Sequence, residues 1–161
     1  MVNLTQEEIA DALAAVVGSV SDAGVILTDK KFSEARGDLL RLLISQSDDG
    51  LPKGWVISWD ELPAQEADSG CEVLITYRFK LAFIYPYLNR EDDTLTSDLK
   101  FKRVILATNE ALNRDRTLGL DNRVQHQFLI STEPFDIADW DKSRLTHYAE
   151  FQLDVQVINT Y

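Results

Sequence analysis

The sequence predicts an α+β domain: a mixed, mainly antiparallel sheet, two amphipathic helices packed on one face of it, and a long projecting β-hairpin or strand. Three observations carry this. From Cys71 onward the odd positions Val73, Ile75, Tyr77, Phe79, Leu81, Phe83 and Tyr85 are apolar or aromatic, with Glu72, Thr76, Arg78 and Lys80 between them. That period of two marks a long strand with one buried face. The pattern returns at His147, Ala149, Phe151, Leu153, Val155 and Val157. Two further stretches place apolar residues at helical spacing, and two such helices can cover the apolar face of an antiparallel sheet.

The first helix begins at a capping box, Thr5 with Glu8, in which hydroxyl and carboxylate satisfy exposed amides reciprocally. Ile9, Leu13, Val16 and Val17 then share a face, and Gly18 with the serines after it ends the helix. Val25–Thr28 is a short strand candidate. From Phe32 to Ser45 the pattern is ambiguous, although Leu39, Leu40, Leu42, Leu43 and Ile44 could form a short helix that Asp38 helps to start. Gln46–Gly54 is rich in turn formers and Trp55–Trp59 resumes as a strand. Leu62–Gly70 reads as a polar loop. Pro86 ends the long alternating strand or places that end at a sheet edge.

The second long helix opens on acidic Glu91, Asp92 and Asp93, which suit the positive end of a helix dipole. Phe101, Val104, Ile105, Thr108, Ala111 and Leu112 line one of its faces, and Gly119 and Asp121-Asn122 break the pattern. Val124, His126, Phe128 and Ile130 alternate as another strand, Glu133–Lys142 reads as a long connection, and the closing strand follows. No repeat or linker interrupts residues 1–161, so a single domain is expected.

Composition narrows the function classes. Hydrophobic residues make up 45% of 161, ordinary for a globular chain with a real core. No apolar run approaches the roughly 20 residues of a membrane helix, and no membrane partner is expected. The opening residues lack a basic region followed by an apolar core, so no secretory signal is expected either. Cys71 is the only cysteine, which excludes an internal disulfide and suggests a buried strand thiol and synthesis in a reducing cytoplasm. With 27 acidic and 16 basic residues the net charge is −11, which opposes a grip on nucleic acid. Such acidity keeps a protein soluble; lining a channel, it would repel DNA and let it slide.

Chemistry is hard to find. His147 and Glu150 stand three apart in a strand and so point to opposite faces. His126 and His147 could be neighbours if their strands pair, yet two histidines without placed carboxylates make a poor metal site. There is no phosphate loop, nucleophile elbow or zinc spacing. No catalytic residue, metal or cofactor is expected, and the chain is not expected to be an enzyme. Surface contacts are better candidates. Lys100, Lys102 and Arg103 form a basic cluster that is a solvated helix face or a contact to an acidic neighbouring subunit, with Glu91–Asp93 as a possible partner surface. Trp59, Phe135 and Trp140 lie in or near connecting segments, where large aromatics fold back on the core or anchor a partner. Tyr148 and Glu150 face away from the core side of the closing strand.

Two features resemble a known family. The closing strand His147-Tyr148-Ala149-Glu150-Phe151-Gln152-Leu153-Asp154-Val155-Gln156 is similar to the last strand of tail terminators, the small neck proteins of tailed bacteriophages. The layout from Val73 to Ile130 (long alternating strand, acidic turn, long helix, strand) is similar as well, and the order of elements matches over residues 25–158. The resemblance implies a virion structural protein, of the tail-terminator or tail-completion type, that forms a ring, expected to be a hexamer. Such a ring caps the tail tube, ends its polymerisation and joins it to the head-side connector. Its partners would be copies of itself, the tail tube protein and the connector or stopper protein, with genomic DNA passing through without specific binding. A head-side stopper or adaptor is the alternative within this class, and a small α+β enzyme or ligand-binding domain the alternative outside it.

Overall fold

The computed structural model describes residues 4–28, 36–59, 62–68, 70, 72–87, 91–121, 123–132, 136–141 and 144–160. Among the described residues three helices, α1 (Gln6–Gly18), α2 (Arg36–Gln46) and α3 (Glu91–Arg114), accompany eight strands. The strands are β1 (Val25–Thr28), β2 (Gly54–Trp59), β3 (Ala64–Asp68), β4 (Glu72–Pro86), β5 (Val124–His126), β6 (Ile130–Ser131), β7 (Asp136–Asp141) and β8 (Arg144–Thr160). All lie in one sheet in which only the β1–β2 pair is parallel, so the expected α+β class with a mixed, mainly antiparallel sheet is what the chain forms.

At its centre β4 and β8 pair antiparallel without interruption, from Glu72 opposite Thr160 to Pro86 opposite Thr146. Each is flanked by a broken row of shorter strands. β2 and then β3 run along the free edge of β4; β5, β6 and β7 run in turn along β8. Two segments expected to be loops are therefore partly strand. Within Leu62–Gly70, Ala64–Asp68 is β3, and within Glu133–Lys142, Asp136–Asp141 is β7. Neither Ala-Gln-Glu-Ala-Asp nor Asp-Ile-Ala-Asp-Trp-Asp alternates apolar with polar residues, which misleads a reading based on that period. Their ladder bonds come from the backbone, and β3 leaves Ala64, Gln65 and Glu66 exposed at the outer edge.

The strand expected from Val124 to Ile130 also breaks. Val124 and His126 are buried as the alternation demands, yet Phe128 and Ile130 are about 60% exposed. His126 lies opposite Val155 and Ile130 opposite Gln152, so four steps on one strand meet three on the other. One extra residue is a bulge, and it turns every later side chain to the opposite face. Ile130 thereby lies opposite Gln152 instead of Phe151.

Parity sorts the core. The odd positions of β4 and β8, with Trp55, Ile57 and Trp59 of β2, face α1 and α3. α1 starts at the expected capping box, Thr5 with Glu8, and buries Ile9, Ala10, Leu13 and Val17. α3 lies on the same face: Phe101 stacks on His147 of β8 near one end, and the Leu112 carbonyl meets His126 of β5 near the other. Trp55, Phe83 and Phe101 stack in sequence, with ring centroids 4.5 and 5.5 Å apart. These are the two helices expected on one face. The ambiguous segment is a third helix, and it lies on the other face, with Leu39, Leu40 and Leu43 against Leu27, Val56 and Ile84. Parallel strands need a crossover, and the stretch holding α2 makes the one between β1 and β2. Gly54 leaves room for it: a Cβ there would stand 2.2 Å from the Val25 carbonyl oxygen and 2.8 Å from the Leu43 Cδ2.

Candidate functional site

Two buried histidines and one hydrogen-bonded cluster at the surface are where chemistry would be sought. His147 is buried on the core face of β8, with Nε2 3.0 Å from the Ser97 hydroxyl of α3 and Phe101 and Tyr87 against the ring. Burial pushes its pKa below the ordinary value, opposed by the charge of Asp98 and assisted by that of Lys102. The ring is thus held toward its neutral form, suited to a hydrogen bond in an aromatic setting. Glu150 lies on the opposite face, as alternation requires, and accepts from Tyr148 Oη at 2.8 Å.

His126 is 1% exposed, with Nδ1 2.6 Å from the Gln127 carbonyl oxygen and Nε2 2.7 Å from that of Leu112. Both ring nitrogens are engaged by backbone and tie β5 to the end of α3. The two histidines do not meet, although β5 and β8 pair. His126 stands opposite Val155, eight residues along β8 from His147, or about 26 Å at ~3.3 Å per residue.

The third group is not visible in the sequence. Asp22, in the turn after α1, accepts from Lys53 Nζ at 2.7 Å and from Tyr85 Oη at 2.6 Å. Its partners are 31 and 63 residues away in the chain, so no local spacing announces the cluster. Burial works to raise the Asp22 pKa, but the bonds from Lys53 and Tyr85 outweigh it and hold the carboxyl below its ordinary value. Beside this cluster is an open depression of about 400 Å³ lined by Gly24, Val25, Gln46, Ser47, Asp48, Asp49 and Lys53. Neither histidine reaches it. Lys53 also lies 3.6 Å from Asp49, so its charge is already shared between two carboxylates. The arrangement joins the turns before β1 and β2; it offers neither a nucleophile beside a base nor a metal cage. Among the described residues no cluster of His, Cys, Asp and Glu is placed to hold a metal ion, and no helix is long and apolar enough to cross a membrane.

The expected contact residues are scattered. Trp59 is 8% exposed and packs against Phe79, so its surface is used within the core. Glu91, Asp92 and Asp93 do open α3, but their side chains lie outside the described residues, as do Phe135 and Cys71 altogether. Trp140 falls in β7 beside the register shift between Asp139 and Asp141, and its side chain is likewise outside the described part. Lys100, Lys102 and Arg103 are exposed on α3, Lys102 held by Asp98 at 2.7 Å. Tyr148 and Glu150 are half-buried at the border of the area that α2 covers. Ser97 is absent from the expected residues, yet it has a signal: with Phe101, Val104 and Thr108 it keeps the spacing of the helix's inner face.

No protein-family model matches the chain, and no curated protein matches it.

Proposed function

We propose that the protein is a structural subunit of a tailed-bacteriophage neck, of the tail-terminator kind, assembling with its own copies into a ring between tail tube and head-side connector. The observation that supports this most is the architecture of residues 73–158. A long β4–β8 ribbon carries α3 along one face, in the order of elements that resembles tail terminators. The polar groups agree with a structural role, because the buried His126 and His147 and the exposed Asp22 are each bound to this chain's own atoms. A net charge of −11 on every copy would give a ring a strongly acidic lining or rim, over which DNA passes without sticking. Six copies are the expected ring.

The test is to add the purified protein to polymerising tail-tube subunits and image the product. Tubes of arrested length with a ring at one end are expected, and the same density should appear at the neck of the intact virion. Density on the head side of the joint would move the protein to a stopper role. Tubes that grow unchanged and carry no added density would overturn the proposal.

A further inference from the structure

α3 turns Ser97, Phe101, Val104, Ile105, Thr108 and Leu112 to the sheet. Its opposite side carries Leu99, Arg103, Leu106, Glu110 and Asn113, all exposed, with Leu99 at 51% and Leu106 at 63%. Steps of three and four keep these five in one narrow row along the helix. Leucine is costly to leave in water, and here two recur seven residues apart in the middle of a solvent face. Among the described residues neither Arg103 nor Glu110 has an ion-pair partner in the chain. The row is self-complementary. Turned end for end about a point just past Leu106, it sets Arg103 of each copy against Glu110 of the other, brings the two Leu106 side chains together and places Leu99 beside Asn113.

We propose that the outer face of α3 is an interface with a second copy of this chain, the two helices antiparallel about a two-fold axis beside Leu106. Charge decides the occupant. Elsewhere a chain of net charge −11 repels its own copies, whereas this row holds one cation and one anion, with Lys102 beside them already neutralised by Asp98. An acidic partner of another kind would meet Glu110 unfavourably; a second copy meets it with Arg103, twice by symmetry. From Leu99 to Asn113 the row is about 21 Å long at ~1.5 Å per residue. A footprint of that length, well under ~1,000 Å², belongs to weak contacts that form at high local concentration. The contact closes on two copies, so it stands or falls separately from a head-to-tail ring.

Sedimentation equilibrium of the full chain, from about 10 μM to about 1 mM, is the experiment, a range suited to a contact of this size. A monomer–dimer equilibrium within it is expected. Arg103→Glu and Glu110→Arg should each weaken dimerisation by about tenfold or more, since like charges then face at two places. The double exchange R103E/E110R should restore it to within about threefold, each Arg again meeting a Glu across the axis. Leu106→Asp should leave only monomer, and Glu110→Gln, the mildest change, should weaken the dimer without reversing a charge. All three positions are exposed, and an unchanged thermal melt would show that folding is intact. A wild-type chain monomeric up to the highest concentration would overturn the proposal, as would single exchanges without effect or a double exchange that fails to restore pairing.

Discussion

On one face of β4, Ile84 is completely buried while Lys80, four residues earlier, is exposed. The two ends of the outer sheet face differ in the same way. At the Pro86 end α2 lays Leu39, Leu40 and Leu43 over Leu27, Val56 and Ile84. Toward the Glu72 end the same face carries Thr76, Arg78 and Lys80 beside Gln152, Asp154 and Gln156, where surface hydrogen bonds join Arg78 and Gln152 to Asp154. A single backbone ladder runs through both ends. What differs is the side chains on the even positions, and they decide whether a helix can settle there. A matched pair of substitutions tests the difference between the two ends most directly. Ile84→Ala should cost about 2–5 kcal/mol, the range for emptying a packed aliphatic site. Lys80→Ala should stay within about 0.5 kcal/mol, as solvent-facing changes do. Urea denaturation measures both, and equal losses would mean that the two ends are packed alike.

Gly54→Ala probes the covered end through its backbone. A new Cβ 2.2 Å from the Val25 carbonyl oxygen meets a fixed strand, so β1 or β2 must shift and Leu43 must move with it. A loss of about 1–3 kcal/mol is expected, typical of overpacking, together with faster amide exchange in β1. The same substitution at Gly70, where nothing lies within 4 Å, is strained only by its positive φ. A Gly54→Ala chain as stable as the original would show that α2 rests loosely.

This contrast also explains what the sequence could and could not disclose. β4 and β8 were legible because one packed face imposes a period of two over many residues, and α1 because Thr5 and Glu8 mark its start. α2 was ambiguous in sequence since its leucines cover only a short patch of sheet. β3 and β7 were hidden because edge pairing uses backbone groups and asks little of side chains. The bulge after His126 was hidden for another reason: Val124, His126, Phe128 and Ile130 alternate without a break, and only the pairing with β8 reveals the slipped residue. Asp22, Lys53 and Tyr85 come from three separate segments, so their meeting depends on the finished fold.

That cluster lies at the Pro86 end of β4 but on the face that α1 and α3 cover, and it adds a pH dependence. Tyr85→Phe removes a bond to a carboxylate and should cost about 0.5–1.5 kcal/mol near neutrality. Asp22 is held below its ordinary value of 3.8, so the folded state binds its proton less readily than the unfolded state does. Its contribution to stability is therefore complete above about pH 4 and is lost as the pH falls through the lower folded value. Asp22→Asn should be less stable than the original at pH 6 and lose less of its stability between pH 6 and about pH 3. Parallel pH curves for the two proteins would remove Asp22 from the account of acid sensitivity.

The smallest effect belongs to the bare end. Arg78 Nε lies 3.1 Å from Asp154 across the central ribbon, with the Arg78 side chain 53% exposed and that of Asp154 23%. Water competes for both charges, and ordering a long guanidinium offsets part of the Coulomb gain, so a double-mutant cycle should give a coupling of about 0.2–1 kcal/mol. It should weaken in added salt, which screens exposed pairs. The pair cannot substitute for a covering helix, because its members keep their own hydration while Ile84 has none to keep. A coupling above about 2 kcal/mol that ignores salt would mean that this end is shielded from solvent too, and the distinction between the two ends would fail.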